Sequence, residues 1–149
     1  MKDYKEFQFG WLIFAIIIPV QIFITYLFIY ELGDRPIGTM GFIIISSIFI
    51  FVYLLFFGLT TTISADKISV VFGIGFIRRT IPINGIKSVE CVKTPWYYGW
   101  GIRIFSSGML YNISGFDGVE LKFKDAESAI RIGTRDSAKL KQEIAKRLN

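Results

Sequence analysis

FGWLIFAIIIPVQIFITYLFIY, from Phe9 to Tyr30, and MGFIIISSIFIFVYLLFFGLT, from Met40 to Thr60, hold 22 and 21 residues without one charged side chain. At about 1.5 Å of rise per residue, each covers roughly 30 Å as a helix, the thickness of a bilayer's hydrocarbon core. Neither carries a polar stripe at helical spacing, so neither suits the surface of a water-soluble protein. A secretory signal has a shorter apolar stretch of about 7–15 residues, followed by small residues at its cleavage site. The first run instead ends Leu27-Phe28-Ile29-Tyr30-Glu31, with nothing small to cut after. The pair reads as two membrane spans, over about 9–30 and 40–60.

The link from Glu31 to Thr39 carries Gly33, Pro36 and Gly38, a tight polar turn that forces the spans to lie antiparallel. Arg35 is its only cation, against Lys2 and Lys5 before the first span and Lys67, Arg78 and Arg79 after the second. Positive residues favour the cytoplasmic side, which predicts a multi-pass protein of the cell (cytoplasmic) membrane with both termini cytoplasmic. Pro19 and Gln21 fall near the middle of the first span. Proline removes a backbone donor and bends a helix. Gln21 reads either as a pathway-lining group or as a hydrogen-bonding partner of the other helix or a second subunit, with Thr25, Ser46 and Ser47 at similar depth. No Asp, Glu, Lys or Arg lies within either span, which argues against a proton-coupled pump or a voltage sensor.

The rest of the composition narrows the chemistry. Of 149 residues, 52% are hydrophobic, 17% aromatic and 19% charged, and there is no His. The commonest general base and metal ligand is thus missing. The single Cys91 can form neither an intrachain disulfide nor a thiolate metal site by itself, so no metal and no cofactor is expected. The chain divides into residues 1–60, the N-terminal segment and hairpin, and residues 61–149, which hold 14 Lys and Arg against 8 Asp and Glu.

That second part reads as short strands punctuated by turns: Leu59–Ser64, Lys67–Phe72, Phe76–Ile83, Ile86–Val92, Ile102–Phe105, Met109–Ser114, Val119–Phe123 and Ala129–Ile132. Asn84-Gly85 is a hairpin signal. Gly73-Ile74-Gly75 resembles the start of a dinucleotide loop, but Arg78 and the absence of a following helix make it a turn. Leu140, Ile144 and Leu148 recur every four residues, predicting an amphipathic helix over about 136–149 capped by Asp136 or Thr134. A bent sandwich or barrel of seven or eight strands, closed by that helix, satisfies both parts.

Gly99-Trp100-Gly101-Ile102-Arg103, Tyr111-Asn112-Ile113-Ser114-Gly115, Val119-Glu120-Leu121 and Arg131-Ile132-Gly133-Thr134 resemble the signature of small bacterial membrane proteins with a pleckstrin-homology-like (bacterial PH) domain. The resemblance covers about residues 60–149, and a preceding hairpin is typical of that group. It implies a two-helix transmembrane hairpin followed by a mainly-β PH-like barrel or sandwich with a C-terminal α-helix, and no enzyme activity. Phosphoinositide-binding PH domains gather Lys and Arg around the first hairpin, where Lys67 here stands alone, so inositol-lipid recognition is not implied.

Two groups of residues remain as candidate surfaces. Lys67, Arg78, Arg79 and Lys87 are expected either to meet anionic headgroups or to be solvated charges. Trp96, Tyr97, Tyr98 and Trp100 form the densest aromatic cluster outside the spans, suited to a membrane interface, a partner or ligand site, or cover for one end of the barrel. Arg103 and Asn112 read as structural, with Arg103 stacking on a ring or bonding a carboxylate such as Asp117. Asp66, Glu90, Asp117 and Glu120 show no pairing suited to acid/base work, and no basic run points to nucleic acid. The expected function is a non-catalytic, membrane-anchored module that binds or scaffolds a membrane-protein partner or the lipid surface. The alternative is a subunit of an oligomeric membrane enzyme or transport complex, homo-oligomeric through Gln21, Thr25 and Ser46.

Overall fold

The computed structural model describes residues 3–148. Lys2 and Asn149, used above for orientation and for the last helix, lie outside the described residues. Where the uncharged runs stand there are two helices, α1 (Trp11–Ile29) and α2 (Thr39–Phe56), each long and apolar enough to cross a membrane. α1 runs through Pro19. Phe28 stacks on Phe42 beside the turn, with ring centroids 4.4 Å apart, and Phe14 stacks on Tyr53 at the other end, 4.7 Å apart. The helices are therefore antiparallel neighbours. Midway, Gln21 Nε2 donates to Ser46 Oγ at 3.1 Å and to Thr25 Oγ1 at 3.3 Å. No residue of either helix is buried, and contact with the rest of the described residues is confined to the ends near the strands, where Ile13 and Phe56 pack against the lobe's core.

Both helices are shorter than the apolar runs, since the backbone turns to strand at either end. β1 (Tyr4–Phe9) precedes α1, and β2 (Gly58–Ile63) follows α2. They pair antiparallel from Tyr4↔Ile63 to Phe9↔Gly58, and Gly10 N–H donates to Phe57 O at 2.9 Å. The helical hairpin thus occupies the place of the turn in a β-hairpin. The β lobe draws on chain from both sides of it, Tyr4–Phe9 as well as everything from Gly58 onward.

β3 (Lys67–Phe72) and β4 (Ile77–Pro82) complete a four-stranded sheet in the order β1-β2-β3-β4. The second sheet has five strands, β5 (Ile86–Lys93), β6 (Gly101–Phe105), β7 (Gly108–Asn112), β8 (Asp117–Phe123) and β9 (Ala129–Gly133), in the order β5-β8-β9-β7-β6. Among the described residues only β7 and β9 run parallel; the other paired strands are antiparallel. Alternation sends Leu59, Ile63, Ile68, Val70 and Phe72 of one sheet against Val119, Leu121, Ile130 and Ile132 of the other in a single core. α3 (Ser137–Leu148) covers that core with Leu140 and Ile144, both fully buried. Asp136 caps it, its Oδ1 accepting from Lys139 N–H at 2.9 Å.

Among the described residues nine strands form two facing sheets, where seven or eight were expected. Among the described residues no ladder joins the sheets into a closed barrel. Of the two architectures open at the sequence level, the sandwich is the one present.

Candidate functional site

Register decides which loops meet the helices. Phe9↔Gly58 and Leu59↔Phe72 put the helix ends and the β3–β4 turn at one end of the lobe. There Gly73 N–H donates to Gly58 O at 2.8 Å and Ile74 N–H to Leu54 O at 3.1 Å, which caps the last turn of α2. Gly73 has φ +50°, and a Cβ on it would collide with the Leu54 and Leu55 carbonyl oxygens, so glycine is required for this docking. The loop from Thr94 to Trp100 and the loop after β7 reach the same end. A Cβ on Gly10 would lie 3.0 Å from Ile113, and one on Gly101 would lie 3.9 Å from Phe56.

Around the helix exits this produces an exposed apolar rim: Phe7, Phe9, Trp11, Ile74, Phe76 and Phe116, with Phe76 75% accessible. Arg78, Lys93 and Arg103 are exposed at or near this end, and among the described residues none of them makes an ion pair. Arg78 Nε donates to Gly75 O at 3.3 Å, which folds it over the β3–β4 turn. Arg79 lines the gap between the sheets beside Met109 and Ile130.

The four cations expected to act together are divided. Arg78 and Arg79 pair with Val71 and Val70, near the helix end of the sheet. Lys67 opens β3 at its other end, roughly 16 Å from Phe72 at about 3.3 Å per residue. Lys87 is the bulged residue at the start of β5, also at the far end, where it shares an open cleft of about 760 Å³ with Lys122, Lys124, Asp125 and Glu127. Adjacency in sequence concealed the direction in which each strand runs.

The aromatic cluster is divided too. Trp96–Tyr98 forms a short 3-10 turn. Tyr98 folds onto the outer face of the second sheet against Phe105, Leu110 and Ala129. Arg131 holds it there, with its guanidinium 4.4 Å from the Phe105 ring centroid and 6.0 Å from that of Tyr98. The same guanidinium bonds Glu120, directly across the ladder, at 2.6 Å. Tyr98 is structural cover. Trp96 and Tyr97 project outward, 74% and 67% accessible. Trp100 turns toward Phe116, with ring centroids 6.2 Å apart.

Arg103 departs from expectation: among the described residues it has neither a carboxylate within ion-pair distance nor a stacked ring. Instead it lies over Gly99, where a Cβ would be 3.6 Å from its Nε. Together they flank a cleft of about 550 Å³ between the loop, the first turns of α1 and the last turns of α2. Gly99 and Gly101 hold this bend with φ of +70° and +93°.

The remaining motif residues lock the lobe. Buried Tyr111 packs on Phe72, ring centroids 6.4 Å apart. Asn112 Nδ2 donates to Gly115 O at 3.0 Å, and its side chain sits where a Cβ on Gly133 would be. Thr134 Oγ1 donates to Glu6 Oε2 at 2.7 Å, while Arg135 N–H donates to Glu6 Oε1 at 2.9 Å. Gln8 Nε2, fully buried, donates to Gly133 O at 2.7 Å. Tyr4 O–H donates to Glu6 at 3.0 Å; burial first, and then that carboxylate, push the phenol well above its ordinary range. Glu6 and Gln8 escaped the sequence reading. Their only signal was a polar alternation in Tyr4–Phe9, just before the first apolar run.

No protein-family model matches the chain, and no curated protein matches it.

Proposed function

We propose that this chain is a membrane-anchored, PH-like binding module without catalytic activity, held by α1 and α2 with its β lobe seated on the cytoplasmic surface. One observation carries this reading: two apolar helices with every residue accessible leave the lobe through a rim of exposed aromatics and unpaired arginines. In water such a surface would greatly exceed the few hundred Å² of contiguous apolar patch that soluble monomers expose. In a bilayer it is ordinary. Tyr, Trp and Phe suit the headgroup level, and Arg78 and Arg103 suit an anionic leaflet. Two sheets closed by a C-terminal helix are consistent with a PH-type lobe, and Trp96 and Tyr97 remain outward for a membrane-protein partner.

For the alternative, an oligomeric enzyme or transport subunit working through the spans, Gln21 offers only its buried Oε1, which has no partner among the described residues, because both its N–H groups bond within the hairpin. Membranes washed with alkaline carbonate test the anchor. The full chain is expected to stay in the pellet and to leave it only with detergent. Recovery of folded chain in the carbonate supernatant would overturn the proposal.

A further inference from the structure

We infer that the cleft between the helix exits and the Gly99–Arg103 bend is a site for one anionic phospholipid, the acyl chain lying on α1 and α2 and the phosphate meeting Arg103. The inference rests on the membrane-anchored reading above. Leu12 and Ile16 supply one wall, Val52 and Phe56 the other, and Trp100 and Arg103 close the cleft at the level where the helices join the lobe. Ile16 lies five residues beyond Trp11 and Val52 four before Phe56, so the cleft extends roughly 6–8 Å along the apolar helices at about 1.5 Å per residue. Its volume of about 550 Å³ falls in the range of about 300–1,000 Å³ typical of small-molecule sites.

Three features select the occupant. The walls are aliphatic and aromatic and continue directly into the lipid-facing surface of the helices, which suits a hydrocarbon chain rather than a polar solute. The cleft's one charged side chain is a guanidinium, whose planar fork matches phosphate. That guanidinium has no carboxylate partner among the described residues, so its charge complements an anionic headgroup and is unbalanced by a zwitterionic one. Arg103 is thus a binding residue, in place of the structural role its motif position suggested.

The test uses the full chain in a non-ionic maltoside, with native mass spectrometry counting lipids retained after addition of dioleoyl phosphatidylglycerol or dioleoyl phosphatidylcholine. One charge near a membrane surface is worth about 1 kcal/mol, or about fivefold. The wild-type chain is expected to retain one phosphatidylglycerol with at least about that preference over phosphatidylcholine. Arg103→Gln, an exposed substitution, is expected to remove the preference, and Val52→Trp to lower retention of both lipids by filling the cleft. Lys67→Gln, at the far end of the lobe, is expected to change nothing. Equal retention of the two lipids by wild type, a preference that survives Arg103→Gln, or a lipid-free dimer would each overturn the inference. Carbonate extraction of the membranes, before detergent is added, separates the failures: chain that stays in the pellet yet shows no preference sinks the site alone, and chain released from it sinks the anchor as well.

Discussion

At the scale of single residues, the lobe is held by contacts that join distant parts of the chain. Gly133 lies beside buried Asn112, whose amide is fixed by Gly115 O, so a methyl at residue 133 has no space to enter. Gly133→Ala is expected to cost about 1–3 kcal/mol, the usual range for overpacking a filled interior. The midpoint of denaturant unfolding in detergent reads it, and an unchanged midpoint would refute the role. Tyr4 carries the pH prediction. Its phenol is raised above the ordinary 10.0 because burial and Glu6 disfavour the tyrosinate. The unfolded chain therefore releases this proton first as pH rises. The stabilisation is complete below about pH 10 and is lost progressively above it. Tyr4→Phe should flatten the alkaline limb of stability against pH, and a limb as steep as that of wild type would show that another group causes it.

At the scale of elements, the helical hairpin is an insertion into β1–β2, and this has a consequence for any soluble fragment. Residues 61–149 omit β1 and the first half of β2, including buried Leu59, together with the Glu6 and Gln8 bonds to Gly133, Thr134 and Arg135. That fragment is expected to aggregate. Replacing Gly10–Phe57 with Asn-Gly, which favours the two-residue turn of a β-hairpin, keeps all nine strands and is expected to give a soluble, cooperatively unfolding lobe. Circular dichroism melts of both shortened chains check it; a folded 61–149 fragment would show that β1 is dispensable. The helices were legible because uncharged runs of 22 and 21 residues admit little else. β1 was not, because its pattern is inverted: Gln8 faces the interior while Phe7 and Phe9 face outward, so Phe9 reads as continuous with the apolar run. The aromatic cluster was visible as composition. The separation of covering Tyr98 from outward Trp96 and Tyr97 depends on Arg131 and Phe105, partners that only folding brings to the loop.

At the scale of the whole molecule, topology follows from the same insertion. β1 and β2 share a ladder, so the chain enters and leaves the helical hairpin on one face of the lobe, and the segment from Tyr30 to Gly38 stands at the opposite end of the helices. A 19-residue and an 18-residue helix are roughly 28 and 27 Å long at about 1.5 Å per residue, enough to carry that turn across a hydrocarbon core of about 30 Å with its flanks in the headgroups. Cations gather with the lobe and only Arg35 stands in the turn, and the proposed orientation, with the lobe inside, rests on that bias. The chain supplies its own reporter, since its only cysteine, Cys91, is exposed on β5. A membrane-impermeant maleimide is expected to label Cys91 in inverted vesicles and to miss it in intact spheroplasts. In a Cys91→Ser background, Asp34→Cys should show the reverse. Labelling of both positions from the same side would mean that the hairpin lies along the surface instead of crossing it. Reversal of both patterns would keep the crossing but turn the lobe outward, and the arginine rim would then face the other leaflet.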